Sequence, residues 1–319
     1  MLPDKFNRTV DLIQIAASGT CEYKCSYCSV NRIQPPQRLF PTEHILRFLR
    51  VMAALGLKRV RFLGGGEPLE RVDILELLTG VSSIKNLYIE SLSTNGKRLP
   101  ECARFIKELG VRKIYVHIPA LDKGLFKSIT GVDGLDSAIA GLDAAVASGI
   151  HTSVKMPLVP GVNYGEIEKI VDFAVQREVD VLLVDAMSIP SKERITFEEI
   201  IAKLDGKRHN LEKPEGEALM KEACRIEGAK THLRIITSEM KRTCGECNRL
   251  WLSANGILSM CNGLVTDLDL NSILDEDPTD NELAQWGVKI ALSKPMHEKA
   301  YCHKPKKTRE QTSAPRVNN

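Results

Sequence analysis

Nothing in these 319 residues approaches the ~18 consecutive apolar positions of a membrane span, and the amino terminus, Met1-Leu-Pro-Asp-Lys-Phe-Asn-Arg8, carries no apolar leader. Both absences point to a cytoplasmic protein without a membrane partner. An excess of one charge is missing too: 44 basic residues against 41 acidic ones leave a net charge of +3, too balanced to announce nucleic-acid binding. No internal repeat stands out beyond an alternation of short strands and helices. With 43% hydrophobic residues the chain can bury a large core, and its length fits one large domain plus an appendage. Basic residues concentrate only at 303–309, ahead of a polar stretch, so 301–319 reads as a flexible basic tail.

A cytoplasmic chain seldom keeps structural disulfides, so its nine cysteines read as metal or redox groups. They sort into Cys21, Cys25 and Cys28, then Cys244, Cys247 and Cys261, with Cys102, Cys224 and Cys302 single. The first triplet follows Asp11-Leu-Ile-Gln-Ile-Ala16, a strand-like run, and Gly19, which suits a turn. Spacing of i, i+4, i+7 also describes a buried helix stripe, but Glu22, Lys24 and Ser26 interrupt it and no helical pattern continues on either side. A zinc site would need a distant fourth ligand. Three thiolates can instead hold three irons of a [4Fe–4S] cubane and leave the fourth open for chemistry.

Helical spacing over Pro41–Leu55 ends at Gly56, and Arg59–Leu63 reads as a strand. Helices follow at Asp73–Leu78, Pro100–Leu109, Leu135–Ala147 and Gly165–Gln176, alternating with strands Asn86–Ser91, Arg112–Ile118, Thr152–Lys155 and Val181–Val184. Six strands separated by helices require parallel β/α wrapping. That is short of eight units, so the expected fold is α/β, a partial (β/α)6 TIM-type barrel over 1–190 with reactive groups at the strands' carboxyl ends. A second-cluster domain over 191–300 is expected to hold helices Thr196–Leu204, Gly216–Ile226 and Asn281–Ser293. It also holds a hairpin, Arg249–Ser253 and Ile257–Met260, around Asn255-Gly256.

Gly64-Gly65-Gly66-Glu67-Pro68 ends one strand, where glycines permit φ > 0 and close backbone approach. Ser93-Thr94-Asn95-Gly96 ends the next and is equally a polar strand-end turn. In the second triplet, C-x₂-C-x₁₃-C, the hairpin would gather all three cysteines; zinc completed by Cys302, His303 or Cys224 competes.

C-x₃-C-x-aromatic-C, with Tyr27 in the aromatic slot, resembles the radical S-adenosyl-L-methionine (SAM) superfamily. That resemblance implies SAM on the open iron, split by an electron from the cluster to give a 5′-deoxyadenosyl radical. It also implies SAM contacts from Gly64, Gly65, Gly66, Glu67, Ser93, Thr94, Asn95 and His117, with Glu67 either receiving the SAM ammonium or bracing its loop. Cys244-Gly-Glu-Cys-Asn-Arg-Leu-Trp-Leu-Ser-Ala-Asn-Gly-Ile-Leu258 resembles the GTP 3′,8-cyclase branch of molybdenum-cofactor biosynthesis. So do Gly66–Arg71, Leu125–Gly131, Leu135–Ala145, Gly161–Asn163, Asp267–Leu270, Asn281–Leu283 and Lys294-Pro295.

The branch implies a second [4Fe–4S] cluster on Cys244, Cys247 and Cys261, with an open iron that binds the purine of GTP. It also implies a substrate set of Arg71, Lys155, Met187, Arg249 and Trp251, and a reductant such as flavodoxin or ferredoxin. A homodimer is compatible with it. Gln14, Thr20, Leu182 and Trp251 stand where that branch usually has arginine, His117-Ile-Pro119 replaces its Ser-Leu-Asp, and a Gly-Gly terminus is missing. The chain therefore reads as a divergent member acting on GTP or a related nucleotide. The alternatives are a paralogue with another small-molecule substrate, from a natural-product or modified-nucleoside pathway, and a non-catalytic zinc or Fe–S binding module.

Overall fold

The computed structural model describes residues 2–28, 36–186, 194–204, 211–212, 223–237, 247–260 and 267–294. Met187, Cys244, Cys261 and the tail over 301–319 lie outside the described residues. The β/α alternation runs β1 (Leu12–Ile15), α1 (Thr42–Leu55), β2 (Arg59–Phe62), α2 (Ile74–Ser82), β3 (Tyr88–Thr94), α3 (Leu99–Glu108) and β4 (Lys113–His117). It continues with α4 (Lys123–Thr130), α5 (Leu135–Ala147), β5 (His151–Leu158), α6 (Ile167–Gln176) and β6 (Asp180–Asp185). These six strands pair in parallel in chain order, as the periodicity predicts, and form the partial barrel. Helix α4 is an addition; its start is capped by Asp122 Oδ1, which accepts from Leu125 N at 2.7 Å, and Gly131 ends it in the left-handed region.

The remaining chain returns to both edges of the same sheet. Beyond α7 (Phe197–Leu204) come β7 (Leu211–Glu212), β8 (Ala223–Ile226) and β9 (His232–Ile236), then β10 (Arg249–Leu252), β11 (Ile257–Ser259), β12 (Asp267–Asp269), α8 (Leu270–Asp275) and α9 (Asp280–Ser293). Strand β9 pairs parallel with β6, and β10 pairs parallel with β1. The sheet is ordered β12-β11-β10-β1-β2-β3-β4-β5-β6-β9-β8-β7, with antiparallel strands at each margin. Residues 223–226, expected as helix, are strand: Cys224 and Ile226 are buried, and a turn at Gly228 (φ +73°) returns the chain so that Cys224 pairs with Leu233. The cross-strand burial of alternate residues outweighs their helical propensity.

Parallel strands covered on both faces read as continuous apolar runs, but several here alternate. Val60, Phe62, Ile114 and Val116 are fully buried in the core shared with the helices, while Arg59, Arg61, Lys113 and Tyr115 between them are half-buried on the opposite face. Right-handed crossovers place the helices on one face of consecutively ordered strands, which leaves a polar inner face. At its amino end that face is closed by ion pairs: Arg59 with Asp11 and Glu90, Arg61 with Glu90, and Lys113 with Asp180, whose carboxylate also meets His151 and His232. No helix among the described residues is long and apolar enough to cross a membrane.

Candidate active site at the carboxyl ends of the strands

The first cysteine loop leaves β1 and is pinned from the side by α4. Lys24 N donates to Thr130 O at 2.7 Å and Ser26 N to Ile129 O at 2.8 Å, while the buried Tyr23 ring meets Phe126 edge-on at 6.1 Å. Cys28 N donates to Cys25 O at 3.0 Å, closing a turn that brings the last two cysteines together. All three thiols are half-buried and none is in a disulfide. Burial pushes Cys21 up to about 12, helped by the Glu67 and Glu70 carboxylates, and Cys25 up to about 11, opposed by a hydrogen bond with Tyr27. Among the described residues no three His, Cys, Asp or Glu side chains converge on one metal ion. A cubane asks for less convergence, because each thiolate binds a different iron.

Glycines 64–66 are expected to clear space for a ligand, and two of them clear space for the protein instead. A Cβ on Gly65 would overlap the Ala16 side chain, and one on Gly66 (φ +116°) would overlap the backbone of Thr20 and Gly19. The two loops therefore lie back to back, joined by Gly19 N donating to Gly65 O at 2.5 Å and Glu67 N to Thr20 O at 2.7 Å. Only Gly64 (φ +77°) faces open space. Glu67 extends the chain of contacts to the third loop: Oε1 accepts from Leu69 N at 3.1 Å and Thr94 Oγ1 at 2.6 Å, and Oε2 from Asn95 N at 2.6 Å. Its carboxylate is buried, which pushes it up to about 7 against those hydrogen bonds. Ser93, Thr94 and Asn95 are buried, and Asn95 Nδ2 has no partner.

Further along the inner face, register places His117, Lys155, Leu182 and Arg234 side by side on β4, β5, β6 and β9. Burial lowers Lys155 to about 8 and, with the Lys155 charge, holds His117 well below its usual value, so that imidazole is neutral at pH 7. His117 Nε2 and Arg234 Nε are buried without partners, and neither Lys155 nor Arg234 has a carboxylate partner among the described residues. The inner-face cations at the amino end are paired off, whereas Lys155 and Arg234 have no ion-pair partner among the described residues. On β1 the buried Gln14 has its Oε1 unpartnered, between Arg61 on β2 and the half-buried Trp251 on β10.

Two expected substrate contacts differ in setting. Arg249 is exposed. Arg71 is buried and bonds only protein acceptors: Nε to Asp73 Oδ1 at 2.6 Å, Nη1 to Ala17 O at 3.0 Å, and Nη2 to Phe40 O and Thr42 Oγ1, both at 3.0 Å. A guanidinium so committed braces the approach to the cysteine loop and is not directed at a phosphate. The sequence signals missed Arg234 because each motif was sought at a strand end, whereas it lies mid-strand and emerges only from register.

Of the second triplet, Cys247 is described. It precedes β10 and is half-buried; its sulfur accepts from Lys294 Nζ at 3.3 Å. Burial works to raise this thiol, yet the Lys294 charge and hydrogen bond, with those of Arg249, hold it below its ordinary value. That suits thiolate ligation.

The donor sets fit the cofactors: half-buried thiols on one pinned loop, an open Gly64, and unpartnered Asn95 and His117 nitrogens at the ends of β3 and β4. Comparison with known families gives a match to the Radical SAM superfamily over residues 15–174 and to Molybdenum Cofactor Synthesis C over 182–304. The chain is 29% identical over 303 residues to GTP 3′,8-cyclase of Ectopseudomonas mendocina (strain ymp), covering 91% of each chain. It is 29% identical over 313 residues to GTP 3′,8-cyclase of Pseudomonas putida (strain GB-1), covering 95% of this chain and 92% of that one. Among solved structures, Streptococcus suis SuiB bound to S-adenosylmethionine shares the fold with a TM-score of 0.61 and 16% identity, over 87% of this chain and 68% of that one.

Proposed function

The chain belongs to the radical SAM superfamily, enzymes that use a [4Fe–4S] cluster and SAM, and from that premise we propose a two-cluster enzyme that generates a 5′-deoxyadenosyl radical to abstract hydrogen from GTP or a related nucleotide. Cys21, Cys25 and Cys28 hold the first cluster, and Cys244, Cys247 and Cys261 the second, within the division into 1–190, 191–300 and a tail over 301–319. When bound, the first cluster and SAM supply the radical.

The protein's own residues position and exclude. Glu67 locks the glycine loop to Thr94 and Asn95, so one rigid unit faces SAM; Tyr27 hydrogen-bonds the Cys25 sulfur; neutral His117 offers Nε2 without adding charge. Lys155, Arg249 and Trp251 make up the substrate side, and Met187, assigned with them, lies outside the described residues. A ferredoxin- or flavodoxin-type reductant and a homodimer complete the reading.

The observation that carries it is the sorting of charge along the inner face: carboxylates neutralise the amino end, while Lys155 and Arg234, further along, have no ion-pair partner among the described residues. That arrangement suits a small polyanion held beside the radical source. Leu182 and Trp251, in place of two family arginines, favour the second reading, a paralogue acting on another small molecule. Reduced, reconstituted protein incubated with SAM and GTP decides: 5′-deoxyadenosine formed together with loss of GTP supports a GTP reaction, and its formation with GTP intact assigns another substrate. Neither product from protein loaded with iron and sulfide overturns the radical reading.

A further inference from the structure

Lys294, at the carboxyl end of α9, is only 1% exposed. Its three ammonium N–H donors meet three acceptors: Cys247 Sγ at 3.3 Å, Arg249 O at 2.8 Å and Met260 O at 2.8 Å. These acceptors lie at the two ends of the hairpin that carries the second triplet. Arg249 begins β10 just after Cys247, and Met260 follows β11 just before Cys261. No carboxylate pairs with Lys294 among the described residues. The buried ammonium is satisfied by one cysteine sulfur and two backbone carbonyls.

We infer that Lys294 is a positioning residue for the second cluster: it fixes the Cys247 sulfur, ties the hairpin's two ends together, and raises the cluster's reduction potential by hydrogen-bonding that sulfur. The sign follows from charge. A cation donating to a ligand sulfur stabilises the more negative, reduced cluster. The inference rests on the two-cluster reading, so its test must separate the two.

The test uses full-length protein carrying Cys21→Ala, Cys25→Ala and Cys28→Ala, reconstituted without oxygen, so that bound iron reports the second site alone. Into this background go Lys294→Met, which keeps the stem and removes charge and donor, and Lys294→Gln, which keeps a donor without charge. A potentiometric titration followed by electron paramagnetic resonance should show a more negative potential in Lys294→Met and an intermediate one in Lys294→Gln, with iron lost to a chelator about 10-fold faster in Lys294→Met. An unchanged potential in both variants overturns the inference even if iron is lost faster, because that is what a purely structural tie would give. If Lys294→Met does not fold, as judged by cooperative melting, Lys294→Gln decides by the same criterion. A background protein that binds zinc, or no iron, overturns the two-cluster reading itself and the inference with it.

Discussion

At the first cysteine loop, burial, joined at Cys21 by the Glu67 and Glu70 carboxylates, pushes Cys21 and Cys25 up to about 12 and 11. At the second, the Lys294 ammonium holds Cys247 below its ordinary value despite burial. The two sites are thus opposite in what they ask of a metal. On the proposed two-cluster reading, irons at the first site would supply the positive charge that makes thiolates stable, while at the second the protein brings a cation of its own to Cys247.

The sharpest way to break that comparison is Cys25→Ala. On the proposed two-cluster reading it should abolish 5′-deoxyadenosine formation and leave about half the iron, because each cluster is held by its own three cysteines; iron and sulfide analysis showing complete loss would mean the sites depend on one another. Next, Lys155→Met should weaken nucleoside triphosphate binding by ~1.5–3 kcal/mol, roughly 10- to 150-fold, while sparing both clusters. In the parent protein that binding should fade as pH rises through about 8, where the buried Lys155 gives up its proton, and isothermal calorimetry across that range checks it.

A smaller effect is expected from Gly66→Ala, whose Cβ would drive into the Thr20 backbone at a φ of +116°. It should cost about 1–3 kcal/mol in urea unfolding of the metal-free protein and loosen the first site only. Smallest is Thr279→Ala, which removes the capping box that opens α9, the helix ending at Lys294. About 1 kcal/mol of stability should be lost. The second cluster's potential should not move, which separates the helix's support of Lys294 from the lysine's own charge.

Much of this could be read along the chain. The strand–helix alternation from β1 to β6 appeared within a few residues of its observed bounds, because amphipathic periodicity is local. The cysteine loop, the glycine loop and the Ser93–Asn95 turn were legible for the same reason, each being a short segment at a strand's carboxyl end. Strand β8 was not: Ala223-Cys-Arg-Ile226 is neutral between helix and strand, and its pairing with His232, Leu233 and Arg234 settled it. Arg71 was assigned to substrate by resemblance, and only the structure shows its guanidinium bonded to Ala17, Phe40, Thr42 and Asp73.

What the sequence determined by itself is the chemistry on offer: thiols in two triplets, glycines after a strand, and a parallel β/α scaffold to present them. Tertiary structure alone decided how those groups are charged and aimed. Arg234 enters the row with His117 and Lys155 only through register across β4, β5, β6 and β9, and Lys294 reaches Cys247 from 47 residues away. The physical reason is that hydrogen bonds and Coulomb forces act across space, whereas a motif records only what lies next to it along the backbone.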